Sequence, residues 1–237
     1  MDISATPFPP PQVFRAAIQV LQGLALGGYG DHVEFSDISY VGPPIDDVSI
    51  LAELPAQLSQ LLRERNGFVA FRGGLHVRGA STAPEWHELR AAWKGERALC
   101  KLFKRLRSTD VPFAQDALGD QFILRSERVW RLEAESDMLE PLESNLVEFL
   151  QDASRDPVAF LRLEPLLAFE AEGGRLAPGQ LLSVYPPFIA ATEEKRSYRA
   201  INVADRLGFL ASFAEQIRNI PDGGEIHFSE YRAERDE

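Results

Sequence analysis

A chain of 237 residues with 45% hydrophobic residues is long enough for one large core or two modest domains and too apolar to stay unfolded. Its formal charge of −11 argues against direct nucleic-acid binding, which needs a basic face to neutralise phosphates, and favours attraction to basic partners. The sequence has no apolar run of about 18 residues and no basic region ahead of an apolar N-terminal stretch, and the lone Cys100 leaves no internal disulfide, so a cytoplasmic chain without a membrane span is expected.

Residues 1–11 are Pro-rich and read as extended. Residues 12–26 read as a helix with Val13, Ala17, Val20, Leu21 and Leu24 on one face, ended by the glycines of 27–30. Those glycines lack the spacing of a phosphate loop. His32 to Val41 alternates in part, as a strand does, until Gly42 and two prolines break it. Leu51, Leu54, Leu58, Leu61 and Leu62 form an apolar helical stripe over 50–67. Pro55 fits the first turn of that helix, and Asn66-Gly67 fits its C-terminal cap. Short strands are expected over 68–71 and 75–77, on either side of Gly73-Gly74.

Pro84 to Arg107 reads as mostly helical with a break at Gly95 and an inner face of Leu99, Leu102, Phe103 and Leu106. Its lysines and arginines read as the solvated back of that helix. Val111 to Leu132 reads as a buried hairpin with a turn at Leu118-Gly119-Asp120 and a polar connection at Ser126-Glu127-Arg128. An acidic segment follows, in which Leu142, Leu146, Phe149 and Leu150 mark a helix. Asp156-Pro157 opens a further short helix. Residues 181–185 read as a strand, Val203 to Asn219 as a helix and 225–229 as a last strand.

Chemistry is hard to locate. There is no nucleophile elbow, HExxH, CxxC or Walker motif. The four histidines are too far apart for helical metal-ligand spacing. His87, between Glu85 and Glu88, is the one local cluster of ligand types, and a surface helix contains such clusters by chance. Asp116 and Asp120 flank Gly119 and read as turn-capping residues rather than an acid/base couple. No catalytic residue, metal or cofactor is therefore expected.

The order of three segments is informative. LPAQLSQLLRERNG (54–67), PFAQDALGDQFIL (112–124) and LESNLVEFLQD (142–152) resemble, in sequence and order, motifs of the SUKH superfamily, named after a yeast cell-wall-assembly regulator and its bacterial relatives. In the third segment the pattern is carried by Ser144, Glu148 and Phe149 with one extra residue. The resemblance covers about residues 50–155. It implies an α+β fold, an antiparallel sheet with helices packed on it. The corresponding division is an N-terminal helix and strand (1–49), a SUKH-like core (50–163) and a C-terminal extension packed on the same domain (164–237).

Bacterial members of that superfamily are widely immunity proteins, which bind a cognate toxin and carry no catalytic residues. The expectation is thus a binding protein whose partner is a basic toxin domain, a nuclease among the options. Glu133, Glu135, Asp137, Glu140 and Glu143 are the candidate docking face, because acids can occupy a phosphate-binding cleft and speed encounter. The competing readings are a merely solvated acidic edge and a regulatory or scaffold protein of the same fold.

Overall fold

The computed structural model describes residues 35–221 and Gly224. The helix expected over 12–26 and the strand expected over 225–229 lie outside the described residues. The architecture is α+β, and its main sheet is antiparallel throughout, each strand pairing with the next in sequence. The seven strands are β1 (Tyr40–Val41), β2 (Phe68–Ala70), β3 (Leu75–Val77), β4 (Val111–Asp116), β5 (Gln121–Arg125), β6 (Arg128–Glu133) and β7 (Met138–Pro141).

Turn chemistry sets the register at the centre. Asp116 Oδ1 accepts the backbone N–H groups of Leu118, Gly119 and Asp120 at 2.9–3.0 Å, and Gly119 takes φ +101°. Asp116 is thus the capping residue its position implied. Ser126 and Glu127 both take positive φ, 50° and 65°, the twist a two-residue hairpin needs. Phe122 and Leu124 of β5 then face one core cluster and Ile123 the other. Apolar packing on both faces explains why β5 is a continuous apolar run rather than an alternating one.

Helices α1 (Val48–Leu51) and α2 (Ala56–Glu64) cover one face through Ile50, Leu58, Leu61 and Leu62. Pro55 is the N-cap of α2, so the helix starts beside it as expected, with Pro55 just outside the first turn rather than in it. Asn66 does not cap this helix. Its amide instead donates to Pro43 O at 2.8 Å and its Oδ1 accepts Ala80 N–H at 2.6 Å, tying three segments together. The expected strand 68–71 stops at Ala70 because Phe71 and Arg72 take positive φ. The helical stretch after Pro84 divides at Gly95 into α3 (Leu89–Lys94) and α4 (Leu99–Leu102).

Helix α5 (Leu146–Arg155) packs Phe149 against Phe113 and Phe122, with ring centroids 5.4 and 4.6 Å apart. Its cap is Asn145, which forms a reciprocal capping box with Glu148. Helix α6 (Pro157–Phe160) starts at Asp156-Pro157.

The C-terminal segment adds α7 (Glu164–Ala171), a hairpin of β8 (Gln180–Tyr185) and β9 (Ser197–Asn202), and α8 (Val203–Ile217). Leu181, Leu207 and Leu210 join Leu99, Phe103, Ile123 and Leu132 in a second core cluster. This segment therefore covers the face of the main sheet opposite α1, α2 and α5. No described helix is long and apolar enough to cross a membrane.

Candidate partner-binding site

The acidic segment starts in β6 and turns back through β7, so its side chains separate in space. Glu133 and Glu135 line a cavity of about 660 Å³ between the main sheet and the C-terminal segment. Arg162, on the same wall, pairs with Glu133 at 2.6 Å and with Glu140 at 3.5 Å. Glu135 Oε1 accepts the Ile189 backbone N–H at 2.7 Å, fixing the loop after β8. Burial raises the Glu135 carboxyl pKa.

The other two candidates go elsewhere. Asp137 is 4% exposed, takes φ +54° in the β6–β7 turn, and pairs with Arg218 at 3.2 Å. Glu143 lies in the turn before α5, where its carbonyl accepts from Arg128 Nη1 at 3.5 Å. Of the five acids, Glu133 and Glu135 line the cavity, Glu140 reaches Arg162 on its wall, and Asp137 is withdrawn from the surface.

The floor of the cavity carries charge of both signs. Asp120 lines it, and its Oδ1 accepts the Ala134 N–H at 2.9 Å, which holds the β4–β5 turn against the end of β6. Burial raises the Asp120 pKa well above the carboxylate range, and neighbouring Asp116 raises it further. Burial also pushes Asp116 up to about 6, against the pull of Arg131. Asp116 Oδ2 has no hydrogen-bond partner among the described residues, nor does Arg131 Nε.

Arg206 enters from α8. It is 2% exposed and donates from Nε to Leu118 O at 3.3 Å. Its neighbours in charge are Glu135, Asp120 and Asp116, yet it forms no direct ion pair with them within 4.0 Å; Arg206 and Asp120 both line the cavity. Around the mouth, Met138, Phe188 and Ile189 are large apolar side chains that are 59%, 42% and 48% exposed. An apolar rim thus surrounds a buried floor that carries both acid and base.

Arg206, Phe188 and Ile189 had escaped the sequence reading. Arg206 did leave a signal: it stands in the inward register of α8, four residues before Leu210, where a charge needs a reason. Phe188 and Ile189 follow two prolines and show no period that would place them.

His87 is not available as the centre of a metal cluster with Glu85 and Glu88. Its Nε2–H donates to Asn66 O at 3.1 Å, which leaves Nδ1 to accept from His76 Nε2–H at 2.9 Å. No group of three or more metal-ligating side chains gathers among the described residues. No family model, curated protein or solved structure matches this chain.

Proposed function

We propose that the protein is a binding protein of the immunity type, which neutralises a basic toxin domain by direct contact. The observation that carries the proposal is the cavity mouth: Glu133 and Glu135, with Glu140 paired to the wall residue Arg162, beside exposed Met138, Phe188 and Ile189, over a buried floor of Asp120 and Arg206. Four carboxyl groups and two guanidinium groups line this cavity, so it takes a cationic side chain in preference to an anion. The apolar rim excludes water around such a contact and strengthens it. The SUKH-like order of the three segments supports the same reading. The partner is a protein that presents Lys or Arg flanked by apolar residues, as nuclease domains do at phosphate-binding clefts.

The pocket adds a pH signature. A cation entering it favours the ionised form of Asp120, so binding releases a proton and tightens as pH rises through the elevated carboxyl range.

Affinity purification from the native host with mass spectrometry, followed by co-expression with the toxin domain recovered, tests the proposal. We expect the partner's toxicity to be suppressed. Met138→Lys with Glu140→Lys should weaken binding by roughly tenfold or more, since reversed rim charge and lost apolar area act together. A partner bound with unchanged affinity by that double variant would place the interface elsewhere. A non-toxic partner, bound through this rim, would favour the scaffold reading.

A further inference from the structure

The opposite side of α8 walls a second cavity, of about 420 Å³. It falls in the size range of small-molecule sites. At its base lies Arg78, only 3% exposed, which follows β3 and reaches across the sheet. Its Nη1 donates to Pro112 O at 2.9 Å, and its Nη2 donates to Gln115 Oε1 and Gln121 Oε1 at 2.6 and 2.7 Å. All three acceptors are neutral. Arg78 forms no ion pair, and its Nε carries no hydrogen bond, among the described residues. Burial with no opposing carboxylate pushes its pKa down to about 9. A buried cation is normally matched by an anion, because desolvation of an unpaired charge costs several kcal/mol.

The surroundings extend this into a shaped site. The first turn of α8, at Val203, Ala204 and Asp205, lines the same cavity. The Val203 N–H is used by Gly179 O, and no side chain caps the helix. Trp86 supplies a flat wall, packed so closely over Gly179 that a Cβ there would lie 2.9 Å from the indole. Leu99, Leu102 and Leu207 complete an apolar lining. Glu85 and Asp205 are exposed and Glu88 is half-buried, so the acids of this cavity sit toward solvent, away from Arg78. That arrangement opposes a polyanion and leaves room for one buried negative group.

We infer that this cavity binds a small organic acid, one carboxylate on an apolar or aromatic body, with the carboxylate on Arg78 and the body against Trp86 and the leucines. The ligand supplies the counter-charge that the chain itself does not place beside Arg78.

The test uses the full chain, with phenylacetate and benzoate as probes, benzamide as the neutral control and inorganic phosphate as the bare anion. Calorimetry should show saturable binding of the aromatic carboxylates and at least tenfold weaker binding of benzamide and phosphate. In nitrogen-edited NMR spectra the Trp86 indole N–H should shift with the carboxylates. Arg78→Met should abolish binding. Because that variant also removes buried hydrogen bonds, Gly208→Leu gives an independent arm. Gly208 lines the cavity, a Cβ there meets nothing within 4 Å, and the larger side chain should fill the space and weaken binding at least tenfold while the fold is kept. Benzamide binding as tightly as benzoate, unchanged binding in Gly208→Leu, or no saturable binding by either carboxylate would each overturn the inference.

Discussion

On one side of α8, buried Arg206 shares its surroundings with Asp116, Asp120 and Glu135; on the other, buried Arg78 has one carbonyl and two amide oxygens around it. The helix is common to both cavities, and the two arginines are buried almost equally, at 2% and 3% exposure. What differs is how each charge is tolerated. Arg206 is balanced by carboxyl groups whose own pKa values are raised, so the charge on that side adjusts by taking up or releasing protons. Arg78 is held by hydrogen bonds alone, so its charge is fixed. A proton-buffered pocket suits a site that accepts a partner's cation, whereas a fixed and unbalanced cation suits a site that waits for an anion.

The largest expected effect is the contrast between two truncations. Arg78→Met removes three good hydrogen bonds and takes a donor from Gln121 Oε1 and Pro112 O, while Gln115 Oε1 keeps only its 3.3 Å bond from Gln121 Nε2. Its cost should be roughly 3 kcal/mol or more and nearly the same at pH 5.5 and pH 7.5, since no carboxylate titrates beside it and burial, the larger cause, still holds the pKa values of neighbouring His76 and His87 down. Arg206→Met removes one long hydrogen bond and a favourable field on the acids. Without that field the carboxyl pKa values rise further. A raised carboxyl gives stability that is present at low pH and lost as pH climbs through the folded pKa, so this cost should grow with pH, reaching about 1–3 kcal/mol at neutrality. Urea denaturation of both variants at the two pH values checks this; equal pH dependence would erase the distinction between the cavities.

A second effect comes from opposed titrations. Asp116 is raised from 3.8 to about 6, so its contribution is complete below 3.8 and fades as pH rises through 6. His87 is lowered from 6.5 to about 4 by burial, so its contribution is complete above 6.5 and fades as pH falls through 4. His76 moves in the same direction as His87, driven first by burial. Across the shared window the two trends oppose each other, and stability should change little with pH. Asp116→Asn keeps an oxygen for the turn amides and removes one trend. That variant should lose on the order of 1–2 kcal/mol between pH 6.5 and pH 4 relative to its own value at the upper end. Denaturant midpoints across that range give the answer, and a variant as flat as its parent would show that the carboxyl does not carry the compensation.

Elements with strong local signals are legible in the sequence. Pro55 marked the start of α2, the leucine stripe its buried face, and the Asp116–Gly119–Asp120 corner its turn. Elements without such a signal were missed. α7 has no sequence signal because its apolar residues do not gather on one side, and β7 has none because its two exposed and two half-buried residues lie within an acidic run. β9 was missed because its alternation follows a polar loop without a turn signature. Long-range pairing was the main loss. Asn66 looked like a helix cap and proved to be a tertiary tie, and His76 and His87, eleven residues apart, showed no spacing rule that would join them. The acidic face is legible as composition, but its division into Glu133 and Glu135 at the cavity, Glu140 on Arg162 and Asp137 in the interior depends on the β6–β7 turn.

The smallest expected effect isolates the wall that the two cavities share. Gly208 lies inside α8, where glycine costs about 0.5–1 kcal/mol relative to alanine because it has more backbone freedom to lose on folding. A Cβ at this position meets no heavy atom within 4 Å, so Gly208→Ala adds no clash to offset that gain. The variant should therefore be more stable by about 0.5–1 kcal/mol, read as a higher urea midpoint with an unchanged slope. One methyl group fills little of the Arg78 cavity, so carboxylate binding should fall far less than with Gly208→Leu. A stabilised Gly208→Ala with near-parental binding, set against a folded Gly208→Leu that no longer binds, separates the mechanical role of α8 from its role as a cavity wall. Loss of stability in Gly208→Ala would instead mean that the open space beside residue 208 is needed by the fold itself.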